Sequence, residues 1–196
     1  MAIDEIGYNS RNLAEEIHRQ INAPDKPIDV KSVALALDIV EIVEQPLTTF
    51  EGALLTDAER SSGSILVNSS SGPRRGRFTV AHELLHFLND RHVATEGGFQ
   101  CRNQDIGAKN IAPMPGMARH LRQEAEANRF AIELLAPVSR FRPYLQQPVD
   151  LASVAELSSA LELSKEACAR RFVDLSSDLI AVVFSRNGRF RYATKS

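Results

Sequence analysis

Arg77-Phe78-Thr79-Val80-Ala81-His82-Glu83-Leu84-Leu85-His86-Phe87-Leu88 is the stretch on which the reading of this chain turns. Phe78, Ala81, Leu85 and Leu88 recur at steps of three and four, which predicts a helix with one apolar face. The breaker Ser69-Ser70-Ser71-Gly72-Pro73 sets its start, and its end falls near Asn89. Within that helix His82 and His86 stand four residues apart, so both imidazoles leave the same face and can reach one tetrahedral ion. Glu83, between them, can take the proton of a water held there. The spacing H-E-x-x-H on a helix therefore predicts a zinc site with a built-in base.

Such a site needs a third protein ligand. A second helix is predicted from about Ala118 to Leu135, stopped by Pro137, and it offers Glu124 and Glu126. Leu121, Glu124, Asn128, Ala131 and Leu135 follow one another along the apolar face, while Arg122, Glu126, Arg129 and Glu133 make a charged one. A carboxylate turned inward is costly unless paired or metal-bound, so Glu124 is the expected ligand and Glu126 the solvated neighbour. Asn128, one turn beyond Glu124, can orient a ligand through a hydrogen bond.

The two stretches Arg77–Leu88 and Glu124-Ala125-Glu126-Ala127-Asn128-Arg129-Phe130-Ala131-Ile132-Glu133-Leu134-Leu135-Ala136-Pro137 together resemble the ImmA/IrrE family of zinc metallopeptidases. The likeness covers about residues 30 to 140. It implies a zincin-like core, with His82, His86 and Glu124 as zinc ligands and Glu83 as the catalytic acid and base. It also implies regulated cleavage of a helix-turn-helix transcriptional repressor. Leu85 stands where many members have Gly, and Ala136 where a Met is common. The competing expectation is a metal-containing sensor that binds such a repressor and releases it uncut.

Outward from these helices, the rest of the chain reads as an α+β domain. A first helix is predicted over Ser10 to Ile21, with Ser10 as its cap and Leu13, Ile17 and Ile21 as its inner stripe. A second is capped by Asp29. Ile39–Val43, Gly52–Leu55 and Ser64–Asn68 predict a small antiparallel sheet. Residues 90–117 show little periodicity and join the two metal-bearing helices, so they are expected to gate the cleft, with Gly97-Gly98 and Pro113–Gly116 as hinges. Two helices near 150–161 and 165–175 are followed by a hairpin whose Asn187-Gly188 predicts a type I′ turn. The expected organisation is a metallopeptidase domain over 1–140 and a helical pair with a β-hairpin over 141–196, packed on the core.

Composition limits the alternatives. The chain has 196 residues, 43% apolar and 24% charged, with a net charge of -2 and no block of like charges, so a nucleic-acid partner is not expected. Residues 150–196 hold 7 basic against 6 acidic side chains, which argues against reading their two helices as a DNA-binding pair. No apolar run spans a membrane, and Met1–Glu5 is acidic where a secretory signal is basic, so the expected location is cytoplasmic. Cys101 and Cys168 form no metal-binding pair and read as reduced thiols outside the site. His92, His120 and Tyr144 are secondary candidates for oxyanion donors, and Arg74, Arg75 and Arg77 for a substrate contact. Substrate is expected to add as a strand along Ile65-Leu66-Val67.

Overall fold

Helix α1, Ser10–Ile21, begins because the Asn9 side chain accepts from the backbone N–H groups of Arg11 and Asn12. The cap is therefore Asn9 and not Ser10, whose buried hydroxyl instead donates to the carbonyl of Glu126 at 3.0 Å. Leu13, Ala14 and Ile17 are buried, while Ile21 is 39% exposed, because Asn22 in the left-handed region ends the helix there. Helix α2, Val30–Leu35, is capped by Asp29 as its sequence predicts. The computed structural model describes residues 9–22, 27–94, 98–102, 118–146 and 150–196.

Strands β1 (Ile39–Gln45), β2 (Gly52–Thr56), β3 (Gly63–Asn68) and β4 (Phe99–Cys101) form one sheet in the order β1-β3-β2-β4. The expected antiparallel sheet is in fact mixed: β2 runs antiparallel to β3 and β4, but β1 is parallel to β3. The reason lies in the link between β1 and β2. The Asn68 side chain, at the end of β3, accepts from the Leu47 N–H and donates to the Leu47 and Phe50 carbonyls. These bonds pin the link across the end of β3 and put β1 on its far side. β3 is consequently interior: Ile65 pairs with Ile42 and with Leu54, Leu66 with Val43 and with Ala53. Strand addition along Ile65–Val67 is excluded by that pairing; the edges of the sheet are β1 and β4. β4 lies in the segment read as a loop, and its three residues carry too short a pattern to announce a strand. Of the expected hinges, Gly97 and Pro113–Gly116 lie outside the described residues.

Helix α3, Pro73–Leu88, has Pro at its first position, where no N–H is needed. Arg75 lies 3.7 Å from the Glu51 carboxylate and Arg77 donates to the Ile28 carbonyl at 2.8 Å, so these two arginines tie the helix start to neighbouring elements. Every residue from Thr79 to Phe87 is buried, since α2, β2, β3 and α4 all pack on α3. Helix α4, Arg119–Leu135, packs on both α3 and α1. Its inner face is not quite the predicted one. Leu121 is 47% exposed, whereas Glu133 is buried, because α1 covers its side of α4 and supplies Arg11 to share its carboxylate with Arg129.

The chain divides into two compact units, the first made of Met1–Ala23 and Ile28–Leu135, the second of Pro24–Pro27 and Ala136–Ser196. In the second, α5 (Val138–Phe141), α6 (Leu151–Ala160) and α7 (Lys165–Leu175) enclose Phe141, Val154, Leu157, Leu161, Cys168 and Phe172. Strands β5 (Ala181–Arg186) and β6 (Arg189–Lys195) pair antiparallel through Asn187 and Gly188, both at positive φ, as a type I′ turn requires. No helix among the described residues is long and apolar enough to cross a membrane.

Candidate metal centre

A helix buried on all sides has no solvent for its polar side chains, so His82, Glu83 and His86 must find partners inside the protein. Their i, i+4 spacing on α3 brings His82 Nε2 and His86 Nε2 to 3.2 Å from each other. Glu124, from the α4 turn packed opposite, places Oε2 at 3.1 Å from His82 Nε2 and Oε1 at 3.4 Å from His86 Nε2. The fourth member comes from β4: Cys101 Sγ lies 3.2 Å from His82 Nε2 and 3.8 Å from His86 Nε2. Sequence reasoning left Cys101 out. The only local sign was Phe99 and Cys101 both pointing inward at strand spacing, between the two helices that supply the other donors.

Behind each imidazole stands a group that orients it. Asn128 Oδ1 accepts from His82 Nδ1 at 3.2 Å, so in the neutral ring Nε2 is the lone-pair nitrogen facing the cluster. His86 Nδ1 meets His92 Nδ1 at 2.9 Å, and His92 Nε2 lies 3.0 Å from Glu126 Oε2. A carboxylate only accepts, so His92 carries its hydrogen on Nε2, and its Nδ1 accepts from His86. The chain Glu126–His92–His86 thus also leaves a lone pair on His86 Nε2. Glu126 is not merely solvated, and His92 uses both nitrogens here and has none left for an oxyanion. His120 is exposed, and the Tyr144 hydroxyl donates to Glu156 at 2.6 Å within the second unit. The end of α3 is held by Arg60, whose guanidinium donates to the carbonyls of His86, Phe87, Asn89 and His92.

Two imidazole lone pairs, a carboxylate and a sulfur therefore converge with no fixed donor among them, an arrangement that fits a cation. Electrostatics agree. Burial disfavours the His82 imidazolium, but Glu124 and Glu83 outweigh it and raise the pKa of His82, while burial pushes His86 down to about 4. Burial also opposes the Glu124 carboxylate, yet the two histidines hold it well below the usual range. Glu83 is fully buried beside the cluster, and no nitrogen or oxygen donor among the described residues bonds its carboxylate; the Cys101 thiol is the polar group that interacts with it. Burial pushes its pKa up to about 7, with His82 and the Cys101 thiol opposing and Glu124 adding to the rise. That value suits a group that must both take and give a proton near neutrality.

An α+β core with an H-E-x-x-H helix under a small sheet, and a carboxylate from the next long helix completing the cluster, defines a zincin-like domain of metallopeptidase type. The family model for the IrrE N-terminal-like domain, peptidase M78, matches residues 38–173, and the chain belongs to this ImmA/IrrE peptidase family. No curated protein matches the chain.

Proposed function

We propose that this protein is a zinc-dependent endopeptidase that cleaves a regulatory protein, a helix-turn-helix repressor, with His82, His86 and Glu124 as ligands of the metal and Glu83 as acid and base. The observation that carries the reading is Glu83 itself, a buried carboxylate that no nitrogen or oxygen donor among the described residues satisfies, beside the cluster of metal-ligating side chains. Leaving such a group unsatisfied costs stability, which a binding module has no reason to bear. Zinc supplies a Lewis acid that lowers the pKa of water and polarises a peptide carbonyl. Glu83 takes the proton of the attacking water and delivers it to the departing amide nitrogen. Asn128 and the His92–Glu126 pair keep both imidazoles aimed and in the tautomer that binds a cation. The repressor as substrate follows from the resemblance of the two motif helices, and a soluble, cytoplasmic setting is part of the same reading.

The test is incubation of zinc-loaded protein with a repressor encoded beside it, together with the Glu83→Gln variant. Fragments are expected with the wild type. Glu83→Gln should keep its zinc and lose about 10²- to 10⁴-fold in rate, the usual worth of a positioned base. Repressor released intact by both proteins would replace this reading with that of a non-catalytic sensor.

A further inference from the structure

A peptidase metal needs an open position for water, whereas four protein donors describe a closed site. We propose that Cys101 is the fourth protein ligand of the metal and holds the centre in a closed, latent state, an inference that rests on the metallopeptidase reading above. Bond lengths of about 2.0–2.1 Å to nitrogen or oxygen and about 2.3 Å to sulfur give a tetrahedron with edges of about 3.3 Å between N/O donors and about 3.6 Å from sulfur to each. His82 Nε2 and His86 Nε2 are 3.2 Å apart, and the Glu124 carboxylate faces both, with Oε2 at 3.1 Å from the first and Oε1 at 3.4 Å from the second. The sulfur of Cys101 stands 3.2 Å from His82 Nε2, 3.8 Å from His86 Nε2 and 4.0 Å from Glu124 Oε1, on either side of the tetrahedral edge.

The strand that carries the sulfur is held in place. Cys101 pairs in register with Gly52, its carbonyl accepts from the Glu51 N–H at 2.8 Å, and the residue is 1% exposed. The second, independent observation is Glu83. A purely structural four-ligand site has no use for a buried carboxylate beside it that no nitrogen or oxygen donor among the described residues satisfies, whereas a hydrolytic one does. Both facts are met if the sulfur occupies the place that water takes during turnover. Opening then breaks the metal–sulfur bond and admits one water oxygen. The departing thiolate receives one proton from that water through Glu83, so the buried site gains no net charge. Cys101 lies at the last residue of an edge strand paired only over three residues with β2, which makes the end of β4 the element that must shift.

X-ray absorption at the zinc edge of the full-length zinc-loaded protein reads the ligand directly. The expected shell contains one sulfur at about 2.3 Å with nitrogen and oxygen at about 2.0–2.1 Å. Cys101→Ala should lose the sulfur and keep the lighter donors, while Cys168→Ser, which removes the other cysteine, should retain it. Calorimetric titration with acetohydroxamate, a chelator that needs an open position, should show binding at least about tenfold tighter in Cys101→Ala than in the wild type. A shell of nitrogen and oxygen alone in the wild type, or equal hydroxamate affinity in the two proteins, would overturn the closed site and leave the peptidase reading intact. Failure of the wild type to hold zinc at all would overturn both.

Discussion

Gly52 leaves room for the Glu83 carboxylate, the proposed acid and base. A methyl group there would sit 2.3 Å from Thr79 Cγ2 and 2.7 Å from Glu83 Oε1, both on the neighbouring helix. Thr79 is fully buried and cannot retreat, so Gly52→Ala must push β2 off α3 or turn Glu83 away from the cluster. The expected result is normal zinc content with a loss of about 10²-fold in kcat/KM, the penalty of misplacing a reacting group by about an ångström. An unchanged rate would show that Glu83 works from another position. At the same scale, Glu124 and Glu126 separate cleanly. Glu124→Ala removes a donor atom from the cluster and should abolish stable zinc binding. Glu126→Ala only frees the His92 ring that orients His86, and zinc affinity should fall by about 10- to 100-fold, the usual effect of losing a group behind a ligand. Competition with a chromogenic chelator measures both.

Helix α1 makes no contribution to the cluster, yet it supports the helix that does. Ser10 and His18 both bond backbone carbonyls of α4, those of Glu126 and Leu134, with His18 Nε2 at 2.8 Å from the second. Burial lowers the pKa of His18 below its usual 6.5, and the carbonyl bond only partly offsets it. The sign of the pH effect follows. Above pH 6.5 the imidazole is neutral in both folded and unfolded chains and adds no slope. Below it the unfolded chain binds the proton first, so stability falls as pH drops from 6.5 toward the lower folded value. His18→Gln keeps a donor for Leu134 but does not titrate. Urea midpoints at pH 7.5 and 5.5 should therefore drop less in His18→Gln than in the wild type; an equal drop would remove His18 from the account.

On the scale of the molecule, the candidate metal centre concentrates buried titratable side chains in the first unit. It buries His82, Glu83, His86 and Cys101 and brings three of them within bonding reach of one point. Anything that binds only the folded arrangement stabilises it by mass action, by about 2.7 kcal/mol when free metal is 100-fold above its dissociation constant. Chelation should then lower the melting temperature by about 5 to 10 °C for a chain of this size, and added zinc should restore it. A melting curve indifferent to chelator would contradict tight zinc binding by this cluster. The near balance of charge in residues 150–196 predicts, in addition, no shift of DNA by the full-length protein at physiological salt.

The sequence by itself determined the local parts whose physics is local. Two histidines a helical turn apart share a face whatever surrounds them, phase alone set Glu124 inward, and Asn187-Gly188 closed its hairpin because both positions tolerate positive φ. Asp29 likewise capped its helix with its own side chain. Tertiary structure decided what depends on partners distant in the chain. β1 lies parallel to β3 because Asn68 pins a link that crosses the strand end, and three residues become β4 only because β2 offers a ladder. Glu126 and Glu133 carry the pattern of an exposed face, but His92 reaches one and Arg11 from α1 covers the other. Cys101 had no motif around it and only the two-residue spacing from Phe99 as a sign; the sheet brought its sulfur beside His82, because pairing is a contact between segments that neither one carries alone.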